Sequence, residues 1–309
     1  MFLSVGIPTF NGEQFLEAVV ESIVSQEKNV EIVISDNAST DSTWDIICKL
    51  EKKHPQIIRP HKNQKNMGFD ANVDQVVKMA VGKFVWVLSD DDSLLPGSLD
   101  KVLSVISKHP KLSLIFVDHQ NSLKMKHPDT LCRDGNDFFR RIRFKNGLIS
   151  SNIVNRERWG EVPINSFFGC QWIQFVYSIY VMSPFFPMPQ EAYIISETLL
   201  QRHTQTRWGE NGGFIYTGLK AVRVFEEIPK LGYDKDIKKI AISIIRGGYY
   251  KNIPRAKLAG LKVTSALLSE MYALYKYEPG FWLMDLPLLF IPRFLYKQAH
   301  KILRLYACA

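Results

Sequence analysis

The sequence predicts an α/β fold: a mostly parallel sheet flanked by helices, followed by a C-terminal helical extension. Two observations carry this. Over roughly the first 120 residues, short apolar runs alternate with stretches of helical periodicity. Such alternation implies parallel strands joined by helical crossovers. Polar clusters at 8–11, 36–41 and 89–92 each follow an apolar run. In sheets of this kind, ligands bind beyond the carboxyl ends of the strands.

Residues 2–7 form the first strand, and Pro8-Thr9-Phe10-Asn11-Gly12 turns the chain. Phe15, Leu16, Val19, Val20, Ile23 and Val24 recur at helical spacing over about 13–25. Val30–Ser35 is a second strand, followed by the cap-rich Asp36-Asn37-Ala38-Ser39-Thr40-Asp41 and a helix marked by Trp44, Ile46, Ile47 and Leu50. Ile57-Ile58 suggests a third strand. Asn66-Met67-Gly68 opens a helix carrying Val73, Val76, Val77 and Ala80. The strand 83–89 then runs into Ser89-Asp90-Asp91-Asp92. Pro96 suits the first turn of a helix with Leu99, Val102, Leu103 and Ile106. Leu112–Val117 is a further strand. The stretch 118–215 alternates poorly and is aromatic, with Trp159, Phe167, Phe168, Trp172, Phe175, Tyr177 and Tyr180. From about 216 the pattern is helical. The expected division is 1–215 for the α/β domain, split into 1–120 and 121–215, and 216–309 for a basic helical region.

Composition is that of a globular protein, with 46% hydrophobic and 23% charged residues over 309. Four cysteines without a C-x-x-C pair argue against a zinc or disulfide framework and suit a reducing compartment. The N-terminus lacks signal-peptide character, so the expected location is cytoplasmic. Residues 230–309 hold 14 Lys and Arg against 5 Asp and Glu, whereas the rest is near neutral. The basic excess points to an anionic surface, a membrane rather than nucleic acid.

Three adjacent carboxylates at the end of an apolar strand call for a cation. Mg²⁺ or Mn²⁺ takes one or two carboxylates together with substrate phosphates, and Asp90 and Asp92 share a side of an extended chain. The bland alternative is that Asp91, Asp92 and Ser93 cap the helix at Pro96. Asp36 can accept from a nucleobase N–H, or its segment is simply a turn and helix cap. Asn66, Gly68 and Asn72 place amides toward a ribose or phosphate at a helix N-terminus, or merely start a helix with a polar face.

The ordered set Pro8-Thr9-Phe10-Asn11, Asp36-Asn37-Ala38-Ser39-Thr40-Asp41, Asn66-Met67-Gly68 with Asn72, and Gly82-Lys83 leading to Ser89-Asp90-Asp91-Asp92 resembles the family 2 glycosyltransferases of the GT-A fold. The resemblance covers about residues 1–120 and implies transfer of a sugar from a nucleotide-diphosphate donor. It implies a Rossmann-like domain with Pro8, Thr9 and Asn11 lining the nucleotide pocket and Asp36 at the base. Asp90 would approach ribose or metal, with Asp91 beside it, and Asp92 would be the main ligand of Mn²⁺ or Mg²⁺. Ser196-Glu197 and Gln201-Arg202-His203 resemble a late segment that closes over the donor: Arg202 would hold the diphosphate, and His203 would complete the metal site. Gln205-Thr206-Arg207-Trp208 resembles, one residue short, a Gln-x-x-Arg-Trp motif of processive relatives.

The sequence departs from the family where an acidic general base is expected. The nearest segment is Gly169-Cys170-Gln171-Trp172, and no Asp or Glu lies between Glu161 and Glu191. Asp118 and Glu161 are the substitutes available for an inverting displacement, and retention would need no such base.

The C-terminal stretch 281–296 is strongly apolar but contains Asp285, Pro287, Pro292 and Arg293, and a spanning helix needs about 20 apolar residues. It reads as an interfacial segment, with Lys297, Lys301 and Arg304 at anionic headgroups, or as a hydrophobic helix packed on the catalytic domain. The expected protein is therefore a metal-dependent glycosyltransferase, peripheral on the inner face of the cell membrane. Its expected partners are a nucleotide-sugar donor and a glycan acceptor, lipid-linked, in cell-surface polysaccharide assembly. The alternatives are a sugar-phosphate nucleotidyltransferase, which would carry a Gly-rich basic loop after the first strand, and a non-catalytic membrane-associated binding protein, which would not need Asp90 with Asp92.

Overall fold

The computed structural model describes residues 2–26, 28–119, 128–187, 190–203, 213–247 and 249–298. The chain divides into two compact units: Met1–Thr204 with Glu227–Ile237, and Gln205–Glu226 with Lys238–Ala309.

The first unit is built on an eight-stranded sheet. In chain order it contains β1 (Leu3–Thr9), α1 (Leu16–Val24), β2 (Glu31–Asp36), α2 (Thr43–Lys53), β3 (Ile58–Lys62), α3 (Phe69–Met79), β4 (Phe84–Val87), β5 (Asp92–Leu94), α4 (Ser98–Lys108) and β6 (Leu114–Val117). It continues with β7 (Thr130–Cys132), α5 (Gly135–Ile142), β8 (Asn152–Asn155), α6 (Arg156–Glu161), α7 (Ile173–Val181), β9 (Ala192–Ile195) and β10 (Leu200–Arg202). Strand order is β3-β2-β1-β4-β8-β6-β9-β7, and β5 pairs with β10 in a separate two-stranded sheet. The pairs β1/β2, β1/β4, β2/β3 and β6/β9 are parallel. The unforeseen strand β8 inserts antiparallel between β4 and β6. Only the short segment Asn152-Ile153-Val154-Asn155 forms it, and its pattern is too brief to separate from a loop.

The core follows from the period-2 alternation of the strands. Leu3, Val5 and Ile7 of β1, Ile32 and Ile34 of β2, and Phe84 and Trp86 of β4 pack with Val19, Val20 and Ile23 of α1 and with Leu99 and Val102 of α4. On the opposite face α3 approaches β1 so closely that a Cβ at Gly6 would stand 2.2 Å from Val76 Cγ1. In-register pairing of Thr9 with Asp36, and of Gly6 with Val87, brings the ends of β1, β2 and β4 to one rim.

The capping alternative for Asp91–Ser93 is not what forms. Asp92 and Ser93 lie in β5, and α4 starts two residues past Pro96 from Gly97, whose φ of 82° suits glycine and which supplies no side-chain cap. Likewise α2 begins from Ser42 without a side-chain cap, leaving Asp36–Thr40 to other contacts.

The second unit has its own core. It comprises α8 (Gly213–Phe225), the greater part of α9 (Lys235–Gly247), α10 (Tyr249–Leu258), α11 (Ser265–Tyr275), a π-turn at Phe281–Asp285 and α12 (Leu286–Phe290). Ile215, Leu219, Val222, Ile253, Leu267, Met271, Tyr275, Phe281 and Leu289 are packed together. Arg246 lies over the Tyr275 ring at 5.9 Å and pairs with Glu278 at 3.0 Å and Asp285 at 3.3 Å. That pairing accounts for the acid in the apolar C-terminal run: Asp285 is 3% exposed and neutralised by Arg246. Among the described residues no helix is long and apolar enough to cross a membrane.

Glu31 ties three segments together at the start of β2. It accepts from Ser4 Oγ at 2.5 Å, from Val81 N at 2.5 Å and from Arg59 Nη1 at 3.0 Å. Burial pushes its carboxyl up, but these donors outweigh burial and hold it below the ordinary 4.5. Glu31→Gln should therefore destabilise the fold by roughly 1–3 kcal/mol, read by urea denaturation at pH 7. A depressed folded value contributes stability that is present above about pH 4.5 and fades as pH falls through that lower value. The gap between wild type and Glu31→Gln should accordingly close below about pH 4.5, and a gap independent of pH would contradict the assignment.

Candidate active site

The rim begins with β1 and β2. Pro8 and Thr9 are buried at the end of β1, and Thr9 Oγ1 donates to Asp90 Oδ2 at 2.5 Å. Asn11, in the left-handed region at φ 54°, donates its amide to Ser39 Oγ at 2.9 Å and accepts from Thr40 N at 2.9 Å. The 36–41 loop is thereby sewn to the β1 turn. Asp36 is fully buried, with Oδ1 accepting from Ser39 N at 3.0 Å and from Ser39 Oγ. Its Oδ2 is buried with no hydrogen-bond partner among the described residues. An orphaned carboxylate oxygen costs free energy unless a donor reaches it, so Asp36 Oδ2 retains an unused acceptor.

Behind this loop lies an amide network. Asn63 Nδ2 donates to Asn37 Oδ1 and Asn72 Oδ1 at 3.1 Å each, and Ser35 Oγ donates to Asn72 Oδ1 at 2.7 Å. Asn72 Nδ2 donates to Ser35 O at 3.0 Å and Thr9 O at 3.4 Å. Asn37 Nδ2 reaches Asn66 Oδ1 at 3.0 Å and Gly68 O at 3.2 Å. Asn72 is therefore buried and spends its amide tying β1, β2 and α3 together, whereas Asn66 and Gly68 are exposed at the start of α3.

The acid triplet separates into three environments. Asp90 is half-buried and tied to Thr9. Asp91 Oδ1 accepts from Ser89 Oγ at 2.5 Å, and its carbonyl accepts from His203 N at 3.0 Å. Asp92 is 2% exposed, accepts from Ser150 Oγ at 2.6 Å and stands 3.6 Å from Arg202 Nε across the β5/β10 pair. Burial pushes its carboxyl up to about 6; the Ser150 hydrogen bond opposes this, Asp91 adds to it, and Arg202 and His203 offset part. The ring of His203 stacks on Phe15 at 5.6 Å, with Nε2 2.9 Å from Ser93 Oγ. Among the described residues no group of three or more His, Cys, Asp or Glu side chains converges as a preformed metal cage.

The donor set nevertheless suits a hard divalent cation. It offers two carboxylates one residue apart, and Mg²⁺ or Mn²⁺ ordinarily leaves its remaining positions to water and phosphate. A cation there would also counter the cost of ionising a carboxyl as buried as Asp92.

The acceptor half adds residues that the sequence did not single out. Ser150 binds Asp92 and also accepts from Ser89 N at 2.9 Å. Asp118, at the end of β6, is 1% exposed, and its Oδ1 accepts from His119 N at 2.8 Å. Glu161 is exposed and pairs with Arg158 at 3.1 Å. It lies at the far edge of the sheet, because antiparallel β8 runs from the rim to Asn155, opposite Phe84, before α6 begins. Gln205-Thr206-Arg207-Trp208 lies outside the described residues.

The acid-free loop at 169–172 is held by an acid from elsewhere. Asp70 of α3, 2% exposed, accepts from Gly169 N and Gln171 N at 2.8 Å each. Gly169 (φ 95°) and Gln171 (φ 64°) are both left-handed, and the carboxylate pins that conformation. In the sequence Asp70 reads as the polar face of a helix, so nothing marked it.

The sheet and its flanking helices have the GT-A architecture, with Asp36 at the end of β2 and Asp90 past the end of β4. The fold matches the mannosyltransferase PcManGT from Pyrobaculum calidifontis in complex with GDP-Man and Mn²⁺ (TM-score 0.60, 16% identity, 93% of this chain and 84% of that one). It also matches Staphylococcus aureus TarS 1–349 in complex with UDP-GlcNAc (TM-score 0.62, 16% identity, 90% and 82%). The model of Glycosyl transferase family 2 matches residues 4–163, and the chain belongs to that family. Among curated relatives it is 29% identical over 187 residues to abequosyltransferase RfbV of Salmonella typhimurium, covering 54% of this chain and 56% of that protein. It is 26% identical over 272 residues to the GalNAc(5)-diNAcBac-PP-undecaprenol beta-1,3-glucosyltransferase of Campylobacter jejuni, covering 82% and 84%.

Removing the Asp70 clamp should release the 169–172 loop. Hydrogen exchange on Asp70→Ala is expected to show at least about ten-fold lower protection at the Gly169 and Gln171 amides, as loss of buried hydrogen bonds worth roughly 1–3 kcal/mol implies. Unchanged protection would mean that the loop holds itself.

Proposed function

We propose that this protein transfers a sugar from a nucleotide-diphosphate donor to a lipid-linked glycan at the cytoplasmic face of a membrane, in the assembly of a surface polysaccharide. The observation that carries the reading is the placement of Asp90, just past β4, and Asp92, at the start of β5, on the same rim as the orphaned Asp36 Oδ2 at the end of β2. One end of the rim suits a base and the other a diphosphate. The lipid-linked acceptor is inferred from what the Campylobacter relative is named for.

In this mechanism Asp36 takes an N–H of the base, and Pro8, Thr9 and Asn11 form the floor beneath the nucleoside. The network Asn37–Asn63–Asn72 holds that floor rigid, so little reorganisation is needed on binding. Asp90 and Asp92 would hold Mn²⁺ or Mg²⁺, which when bound supplies charge neutralisation at the departing diphosphate. Arg202, held 3.6 Å from Asp92, adds a guanidinium donor to that phosphate. His203 becomes a ligand only on giving up its contact with Ser93. The loop 169–172, pinned by Asp70, carries Trp172, which stacks on the buried Phe175 at 5.0 Å and offers an aromatic contact for the acceptor sugar.

The membrane contact is assigned to the second unit. Tyr277, Leu283, Phe290 and Phe294 are 86%, 78%, 62% and 59% exposed, and Trp282 and Met284 are exposed beside them. Lys276 stands over the Tyr277 ring at 5.0 Å, which places a cation at the edge of this apolar surface. Lys301 and Arg304, expected to assist, lie outside the described residues.

Two outcomes test the reading. Thermal shift against UDP-glucose, UDP-GlcNAc and GDP-mannose should single out a donor that stabilises only with Mn²⁺, and Asp92→Asn should abolish that dependence and lower transfer at least about 100-fold. Metal-independent binding, or full turnover by Asp92→Asn, would defeat the metal assignment. For the membrane, truncation after Gly280 would remove the buried Phe281 and Leu289, so Leu283→Asp with Phe290→Asp is the cleaner probe. That double variant should stay folded yet lose most sedimentation with anionic vesicles; undiminished sedimentation would place the contact elsewhere.

A further inference from the structure

The acceptor hydroxyl needs a proton acceptor, and Asp118, Asp70 and Glu161 are all poorly placed to be one. Asp118 is 1% exposed, Asp70 is occupied by backbone amides, and Glu161 is at the far edge of the sheet, paired with Arg158. Beside Asp118 stands His119, two residues past the end of β6 and only partly buried. Its Nδ1 lies 2.8 Å from Ser151 Oγ. The preceding residue, Ser150, holds Asp92 Oδ2 at 2.6 Å. The turn at 149–151 thus carries the candidate diphosphate end of the site on one serine and an imidazole on the next.

We propose that His119 is the catalytic base of the transfer, accepting the acceptor hydroxyl's proton at Nε2. Ser151 Oγ orients the ring; when Nδ1 carries the proton and donates to Ser151, the Nε2 lone pair is presented. Burial pulls the imidazole down to about 4, Arg202 and Lys145 push it the same way, and Asp118 opposes them. The ring is therefore neutral in the free protein, and burial with Arg202 and Lys145 opposes its protonation until a donor is bound. A donor diphosphate paired with Arg202 offsets the cation that most disfavours the imidazolium, so donor binding strengthens the base at the moment it is needed. In the step, the acceptor oxygen forms a bond to the anomeric carbon as its proton passes to His119 Nε2. The bond from that carbon to the diphosphate oxygen breaks, and the nucleoside diphosphate leaves with the electron pair. His119 then returns its proton to water. A single displacement of this form inverts the anomeric centre.

The inference rests on the glycosyl-transfer reading above, and the experiment separates the two. Full-length wild type, His119→Ala and His119→Gln are assayed with UDP-glucose, UDP-GlcNAc and GDP-mannose in Mn²⁺. A short polyprenyl diphosphate N-acetylhexosamine serves as acceptor, and nucleoside diphosphate release is the readout. Both variants are expected to keep donor Kd within about two-fold of wild type while kcat falls 100-fold or more, the range of a lost general base. Added imidazole should partly restore His119→Ala. A smaller loss in kcat, donor binding lost alongside it, or absence of imidazole rescue overturns the assignment of His119. Wild type that neither binds nor turns over any of the three donors overturns the glycosyl-transfer reading itself.

Discussion

The rim of this protein depends on one buried carboxylate. Asp92 opens β5 and is turned inward, where Ser150 Oγ binds it and Arg202 faces it from β10. Burying a charge is costly unless it is paired, and this pairing draws two distant segments onto β5: the turn at 149–151 and β10. Burial raises the Asp92 carboxyl to about 6, against the opposing Ser150 hydrogen bond and the charges of Arg202 and His203.

The opposite end of the rim is built differently. Around Asp36 the contacts are neutral amides and hydroxyls, linked through Asn37, Asn63 and Asn72. Such a network has little tolerance for partial satisfaction, so it fixes the β1 and β2 ends in one arrangement. The exception, Asp36 Oδ2, stands out because its surroundings are so fully bonded. The rim thus has one end built from neutral, mutually bonded amides and another built around a buried charge.

In the second unit, the Arg246–Glu278–Asp285 cluster holds the π-turn that displays Trp282, Leu283 and Met284 outward. The acid that interrupts the apolar run is thus the anchor of its exposed surface. Removing Arg246 would leave Asp285 buried and uncompensated.

The sequence by itself determined the strand–helix alternation from β1 to β6, because apolar periodicity and turn residues act locally there, and it placed Asp36, Asp90 and Asp92 on one rim. It also identified the family. It did not determine β8, whose four residues owe their conformation to β4 and β6 on either side. Nor did it separate Asn72, a buried strut, from Asn66, an exposed one, since both follow equally good turn and cap patterns. Ser150, Asp70 and His119 acquire their roles only through contacts 58, 99 and 32 residues away along the chain. Local propensity carries no record of such partners. Tertiary structure decided them, because burial and pairing of polar groups are settled by what the packed chain brings alongside.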